Sequence, residues 1–421
     1  MDTAPRGESP AAASPGRSGP GTVVWTERFL DYTWTPEHPM QPARLKFTMA
    51  LADGLGVLDG VELLEPATVD RPDLLRIHTP DYLDAVEHAV RPVGSHVAPP
   101  YGLGSADNPV FPRMHQAAST IVGGTLAAAR EIAEGRTARA VSIGGGMHHA
   151  QADSAAGFCI YNDVAVAISW LLDHGFDRIV YIDIDVHHGD GVQRAFYRDP
   201  RVLTISVHQH PATLWPNTGW PEETGAGVAE GTSINLGLVP GIRDAQWLRG
   251  FHAVVPGAVA AFRPQIVVSQ CGVDTHREDP LADLELTVDG QRAAFRTMRD
   301  LADRYAEGRW LAVGGGGYGL VRVVPRAWTH LLAIVLDRDI DPATSIPESW
   351  IEAIRVAAPR VDPPRTMSDG GDIAYRPWDG PGGSIGDAQI DRAQRAVDLA
   401  VLATRRATFG LLGLDPEDPR D

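Results

Sequence analysis

The stretch Ile179 to Gly191, IVYIDIDVHHGDG, begins as a buried strand and ends as a run of polar groups. Ile179, Val180, Ile182, Ile184 and Val186 are β-branched and suit a sheet interior. Among them stand Asp183, Asp185 and His187, followed by His188 and Asp190. Side chains alternate across a strand, so continued alternation predicts Asp183, Asp185 and His187 on one face. Two carboxylates side by side in an apolar setting repel each other and lose hydration, each at a cost of roughly several kcal/mol. A cation relieves both. Asp185 and His187 can reach one ion, and Asp274, at the end of the predicted strand QIVVSQCGV (265–273), supplies a third ligand. Three N/O donors with an open position are the pattern of catalytic zinc. The same donors suit Fe(II), Co(II) or Mn(II). An isolated Asp-X-His more often caps a loop; the apolar flanks and the third carboxylate favour the metal here. Asp183 is then free to orient a histidine or hold another cation.

Further reactive groups follow two other predicted strands. The run GGGMHHA (144–150) places His148 and His149 just past one strand. On extended backbone the two would point apart, so one is expected to face the reacting group while the other supports it. A histidine titrates near neutrality and can serve as base and acid to a bound water. The run GGGGYG (314–319) delivers Tyr318, whose hydroxyl can donate to a developing oxyanion. Two other readings compete. Gly314, Gly316 and Gly319 match G-x-G-x-x-G with Asp337 downstream, a dinucleotide-binding pattern weakened by Tyr318 and Pro325. Cys159 could act as a nucleophile beside His149, although a small buried apolar role suits it better.

Positioning these groups requires strands that end together. β-Branched runs at 138–146, 178–186, 202–208, 232–238, 265–273 and 309–317 alternate with helical patterns at 114–135, 163–175, 244–262 and 290–308. The alternation predicts an α/β fold, a single domain with a mostly parallel sheet of about eight strands covered by helices on both faces. Ligands of such sheets bind at the carboxyl ends of the strands. Residues 1–20 read as a disordered leader, 21–340 as the main domain, and 341–421 as an extension closing with a helix (387–412) packed on that domain.

Composition narrows the function classes. A formal net charge of −17 argues against phosphate-backbone binding and is compatible with cationic substrates. No apolar run approaches the roughly 20 residues of a membrane-spanning helix, and the N-terminus lacks the pattern of a signal peptide. Two cysteines among 421 residues argue against a disulfide framework, which makes a cytoplasmic location the expectation.

Taken together and in order, several motifs resemble the histone deacetylase superfamily, most closely its bacterial acetoin-utilization-type deacetylases. They are HPMQPAR (38–44), GLGSADNPVF (102–111), GGGMHHA (144–150), GFCIYND (157–163), DIDVHHGDG (183–191), CGVDTHREDPL (271–281) and GGGGYG (314–319). PRAWTHL (325–331) and ATRRATFGLLGLDP (403–416) fit the same branch. The resemblance spans about Trp25 to Leu336 and implies an arginase/deacetylase-like fold. It implies zinc on Asp185, His187 and Asp274, His149 as general base and acid with Asp190 as its partner, and His148 paired with Asp183. Tyr318 would polarise the scissile carbonyl. Phe158 and Trp215 would flank a narrow acyl-lysine channel also lined by Gly157, with Leu281 in the pocket wall. Asp107 would hold a substrate amide at the rim, and Arg44 would stand near the cavity that releases acetate. Structural potassium would use Asp183, Ser206 and the carbonyls of Asp185, His187 and Val207; a second site would lie near Phe196, Asp199 and Val202.

The implied reaction is hydrolysis of N6-acetyl-lysine in proteins to lysine and acetate. Acetylated protein substrates are the expected partners, an acetyl-CoA synthetase among them. An acetylpolyamine amidohydrolase and a non-catalytic acyl-lysine binding module are the competing expectations.

Overall fold

The computed structural model describes residues 21–89, 100–381 and 392–421; the expected leader lies outside them. Eight strands form one sheet: β1 (Thr22–Val24), β2 (Leu63–Leu64), β3 (Arg139–Ser142), β4 (Ile179–Asp183), β5 (Val202–Gln209), β6 (Ser233–Leu238), β7 (Ile266–Gln270) and β8 (Trp310–Val313). Their order is β2-β1-β3-β8-β7-β4-β5-β6, and every adjacent pair is parallel. All residues of β4 to β8 are buried. A strand covered on both faces reads as a continuous apolar run, which is why these were visible in sequence. The short β1 and β2 carry too little pattern to be read that way.

The helices are α1 (Ala43–Gly54), α2 (Arg71–Leu74), α3 (Pro80–Glu87), α4 (Met114–Ala133), α5 (Asp163–Asp173), α6 (Asp190–Phe196), α7 (Asp244–Phe262), α8 (Val288–Tyr305), α9 (Val324–Val335), α10 (Glu348–Ala357) and α11 (Arg392–Thr408). They cover both faces of the sheet in two series: α4 packs on α5 and α5 on α6, while α1, α9, α8, α7 and α11 follow one another. Beyond residue 340, α10 was not anticipated; its Trp350, Ile351 and Ile354 join a small apolar cluster with Leu51 of α1. The α11 helix lies against α7 and β6, where the buried Arg249 donates to Asp398 at 2.6 Å. Among the described residues no helix is long and apolar enough to cross a membrane.

The central strands β3, β8, β7 and β4 are neighbours, yet β3 and β4 follow each other in the chain. The chain therefore crosses from one side of the sheet to the other between them, and the carboxyl ends of these four strands border the resulting crevice. Each of these four strands stops short of its sequence run. Strand β4 ends at Asp183, so Asp185 and His187 stand in the loop beyond it and not on a shared strand face. The loop folds back: Asp185 N donates to Asp183 Oδ1, and His187 N to Asp185 Oδ1, both at 3.0 Å.

Candidate active site

The turn after β4 and the loop after β7 bring Asp185, His187 and Asp274 together. One potential ligand atom from each lies within 4.8 Å of the others. His187 Nδ1 is 3.3 Å from Asp185 Oδ1 and 3.3 Å from Asp274 Oδ2. The remaining carboxylate oxygens are tied to backbone: Gly316 N donates to Asp185 Oδ2 at 2.7 Å, and Val186 N to Asp274 Oδ1 at 2.8 Å. Both aspartates are buried. Burial and the Asp185 charge push Asp274 up to about 6. Burial alone would lower His187, but its bonds to Asp185 and Asp274 outweigh that and raise it to about 10. Asp185, by contrast, is held below the usual carboxylate range despite its burial by the neighbouring histidines, so the site favours positive charge and fits a divalent cation in place of the proton on His187.

The histidine pair sits in a turn after β3, and this corrects the expectation that extended backbone would point the rings apart. The rings lie 3.9 Å centroid to centroid and both face the same chamber. His149 Nδ1 lies 2.7 Å from Asp190 Oδ1, so it carries the proton toward the carboxylate and leaves Nε2 to accept. Burial, reinforced by the His148 charge, lowers His149 to about 4 and keeps it neutral. His148 Nδ1 lies 2.8 Å from Asp183 Oδ2, which also accepts from Tyr181 Oη at 2.6 Å. Burial opposes a charge on His148, yet Asp183 and Asp185 override it and raise it to about 9.

A chamber of about 20 Å³ joins His148, His149, Asp185 and His187, with Met40, Arg44, Gly146, Met147, Gly157, Cys159, Gly315, Gly316 and Tyr318 completing its wall. A single water needs roughly 10–15 Å³ measured this way, so the chamber admits only a very small group. Arg44 is buried, donates to Gly315 O and Gly317 O at 2.8 and 3.0 Å, and lies over Trp328. Toward the opening, Phe158 packs edge-on to Tyr318 at 5.8 Å and Trp215 to His149 at 4.6 Å. Trp215 is 42% exposed, as a residue at a mouth would be. Gly157 has φ +50°, and a Cβ there would stand 2.5 Å from His149 and 2.7 Å from Trp215. Only glycine fits.

The other expected residues lie further out. Asp107 is exposed on the loop before α4, where its carbonyl accepts from His38 Nε2. Leu281 is half-buried, with its amide on Asp279 Oδ1, and is not among the residues of the chamber wall. Ser206 is the register partner of Asp183, and its hydroxyl bonds His208 Nδ1 at 2.9 Å; Val207 follows within β5. Phe196 ends α6, and its carbonyl accepts from Asp199 N. The Asp199 carbonyl accepts from Val202 N, while its carboxylate pairs with Arg201 at 2.6 Å.

Two competing readings lose their footing. Cys159 is buried, and burial raises its thiol far above the usual range, which leaves no thiolate for nucleophilic attack. In the glycine run, Gly316 faces the acids so closely that a Cβ would lie 2.0 Å from Asp274 Oδ2. A phosphate there would meet two carboxylates, and Asp337 instead pairs with Arg139 on the surface.

Sequence reasoning passed over Gln151 and Asp279. Gln151 Nε2 donates to Asp190 Oδ2 at 3.0 Å and to His149 O at 2.9 Å, behind the histidine. Asp279 accepts the amide of Tyr318 at 2.8 Å. Its signal was present as a second acid inside the HREDPL stretch.

An all-parallel sheet that gathers four acids, three histidines and a tyrosine beyond its central strand ends suits metal-assisted hydrolysis, and the chain belongs to the histone deacetylase family. The family's domain, described as "Histone deacetylase domain", matches residues 38–335. The chain is similar to acetoin utilization protein AcuC of Bacillus subtilis (strain 168), 38% identical over 83% of this chain and 90% of that one. The AcuC protein of Staphylococcus aureus (strain MSSA476) is 36% identical over 84% and 91%. Among solved structures, an HDAC homologue from Aquifex aeolicus matches with a TM-score of 0.76 and 28% identity, covering 90% of this chain and 99% of that one. An HDAC homologue complexed with SAHA matches with a TM-score of 0.74 and 29% identity, covering 83% and 94%. The protein is a hydrolytic deacetylase of a metal-dependent family.

Proposed function

We propose that the chain removes the acetyl group from N6-acetyl-lysine in proteins, with Zn²⁺ held by Asp185, His187 and Asp274. The convergence of these three ligands on one point, with Asp185 and His187 lining the chamber that His149 and Tyr318 also face, carries the reading. Zinc in such a donor set lowers the pKa of a bound water and polarises a carbonyl; Fe²⁺ or Co²⁺ would supply the same chemistry. His149, neutral with Nε2 free, takes the water's proton. Asp190 fixes the tautomer and steadies the imidazolium that results. The Tyr318 hydroxyl donates to the carbonyl oxygen as it gains charge. His149 then returns its proton to the departing lysine amine, and acetate and lysine are released. His148, tied to Asp183, supports this pair from beneath. Phe158, Trp215 and Gly157 enclose the lysine stem, and burial of its methylenes favours binding by roughly 0.8 kcal/mol each.

We assign Asp107 to a substrate backbone amide, Leu281 to the outer wall and Arg44 to the acetate path. The potassium sites at Asp183, Ser206 and Val207, and at Phe196, Asp199 and Val202, rest on the family resemblance alone. A cytoplasmic location and an acetyl-CoA synthetase as substrate are likewise proposals, the latter supported only by likeness to acetoin utilization proteins. Acetate release from acetyl-lysine peptides and from N-acetylputrescine, measured side by side, tests the substrate. Faster turnover of the peptides is expected. Preference for the acetylated polyamine replaces this reading with the amidohydrolase one, and peptide binding without acetate release replaces it with a binding module.

A further inference from the structure

The loop carrying Tyr318 leaves β8 as a run of glycines and belongs to no helix or strand. Gly315 and Gly317 take φ values of +137° and +138°, and such residues have wide conformational freedom. The tyrosine hydroxyl is therefore placed only as well as the loop is tied. Gly316 N donates to Asp185 and Gly316 O accepts from Val273 N, while Arg44 holds the carbonyls of Gly315 and Gly317. These ties act on the glycines. The amide of Tyr318 itself donates to Asp279 Oδ2 at 2.8 Å, and Asp279 Oδ1 accepts from Leu281 N at 3.0 Å.

Asp279 is braced in turn. Its amide donates to the carbonyl of the fully buried His276 at 2.8 Å. His276 Nδ1 accepts from Glu278 N at 3.0 Å, which puts the ring proton on Nε2. Nε2 donates to Asp369 Oδ2 at 2.8 Å, and Asp369 Oδ1 accepts from the buried Arg326 at 2.7 Å. Asp369 lies past residue 335, where the match to the family domain ends. A continuous chain of hydrogen bonds thus runs from the C-terminal segment, through His276 and Asp279, to the backbone of Tyr318.

We propose that Asp279 is a positioning residue for Tyr318, and that Asp369 of the C-terminal segment braces it through His276. This rests on the role given to Tyr318 above and extends it to residues that never meet substrate. A displacement of about 1 Å in a reacting group can cost on the order of 10²-fold in rate. A double-mutant cycle separates positioning from general stability. It uses the full chain loaded with zinc, an acetyl-lysine peptide, and metal analysis of every variant. Asp279→Ala should lower kcat by roughly 10- to 100-fold while KM and zinc content stay near wild type. In a Tyr318→Phe background the same change should cost less than about threefold, because no hydroxyl remains to misplace. Asp369→Asn should lower kcat more mildly and lose its effect in the same background.

Full multiplication of the Asp279→Ala and Tyr318→Phe losses, or loss of zinc in Asp279→Ala, overturns the positioning proposal alone. Undiminished turnover in Tyr318→Phe by itself removes the tyrosine's role, and the positioning proposal with it. Should Asp279→Ala fail to fold, Asp279→Asn, which keeps one oxygen acceptor, goes through the same cycle with the same two outcomes.

Discussion

Gly157 shows how closely the side chains of the site are fitted. Its positive φ and the absent Cβ let the backbone lie close against both His149 and Trp215. Gly157→Ala should lower kcat/KM on an acetyl-lysine peptide by at least about tenfold, since the methyl must displace His149, the Trp215 indole or the backbone. Zinc content should stay at wild-type level, because the ligands lie elsewhere; unchanged kinetics would show that the wall yields freely. At this scale the candidate site was legible where residue type and spacing were both unusual: Asp185, His187 and Asp274, which the structure brings together, then Tyr318 after its glycines. Phe158, Trp215, Gly157 and Arg44 were reached only through the family resemblance. Gln151 escaped notice because a lone Gln in a loop carries no pattern, and Asp279 because its place in the HREDPL stretch does not reveal its partner. Their roles come from partners 39 residues away in each case, Asp190 and Tyr318.

Among the elements, the strand ends matter more than the strands. The β-branched runs predicted β3 to β8, but alternation misled beyond Asp183, where the backbone leaves the sheet and its own amides turn Asp185 and His187 toward one point. The histidine pair deceived in the same way, since a turn brings together rings that extended backbone would separate. Asn162 links this turn to α5. Its Oδ1 accepts from Ala165 N at 2.9 Å as the helix cap, while Nδ2 reaches Ala150 O at 3.0 Å and His148 O at 3.3 Å. Asn162→Ala should destabilise the fold by about 1–2 kcal/mol from the lost cap and lower kcat by loosening the histidine turn; thermal unfolding and initial rates measure the two. A stable variant with wild-type kcat would mean the turn holds without it. Gly316→Ala addresses the loop after β8. Its Cβ would lie 2.0 Å from Asp274 Oδ2, so zinc bound per chain should drop sharply, read by elemental analysis.

For the molecule as a whole, the parallel sheet and its two helix layers were legible because buried strands and amphipathic helices carry strong periodic signals. In the C-terminal segment only the closing helix was expected; α10 and the contacts that tie the segment down were not. Its contacts, such as Asp369 with His276 and Asp398 with Arg249, join residues 93 and 149 positions apart and leave no local pattern. The interior also holds histidines away from the chemistry. His78 has Nδ1 on Gln151 O and accepts Asn162 N at Nε2, an arrangement that needs the neutral ring. Burial lowers both His78 and His330 to about 4. Near pH 7 each is neutral, folded or unfolded. Between pH 6.5 and 4 the unfolded chain binds protons that the folded one refuses, so stability falls as pH drops through that window. The loss is on the order of 3 kcal/mol for each histidine. Tm should therefore decline from pH 7 to 4, less steeply in His78→Gln; a flat profile would show that these rings are not held neutral.

The proposed reaction requires one divalent cation held by Asp185, His187 and Asp274. Stripping the protein with a chelator and titrating Zn²⁺ back while following acetate release from an acetyl-lysine peptide tests it most directly. Activity should vanish on stripping and return in full at one equivalent, and His187→Ala should recover neither the ion nor the turnover. Undiminished acetate release by the metal-free protein, or full recovery by His187→Ala, would contradict it.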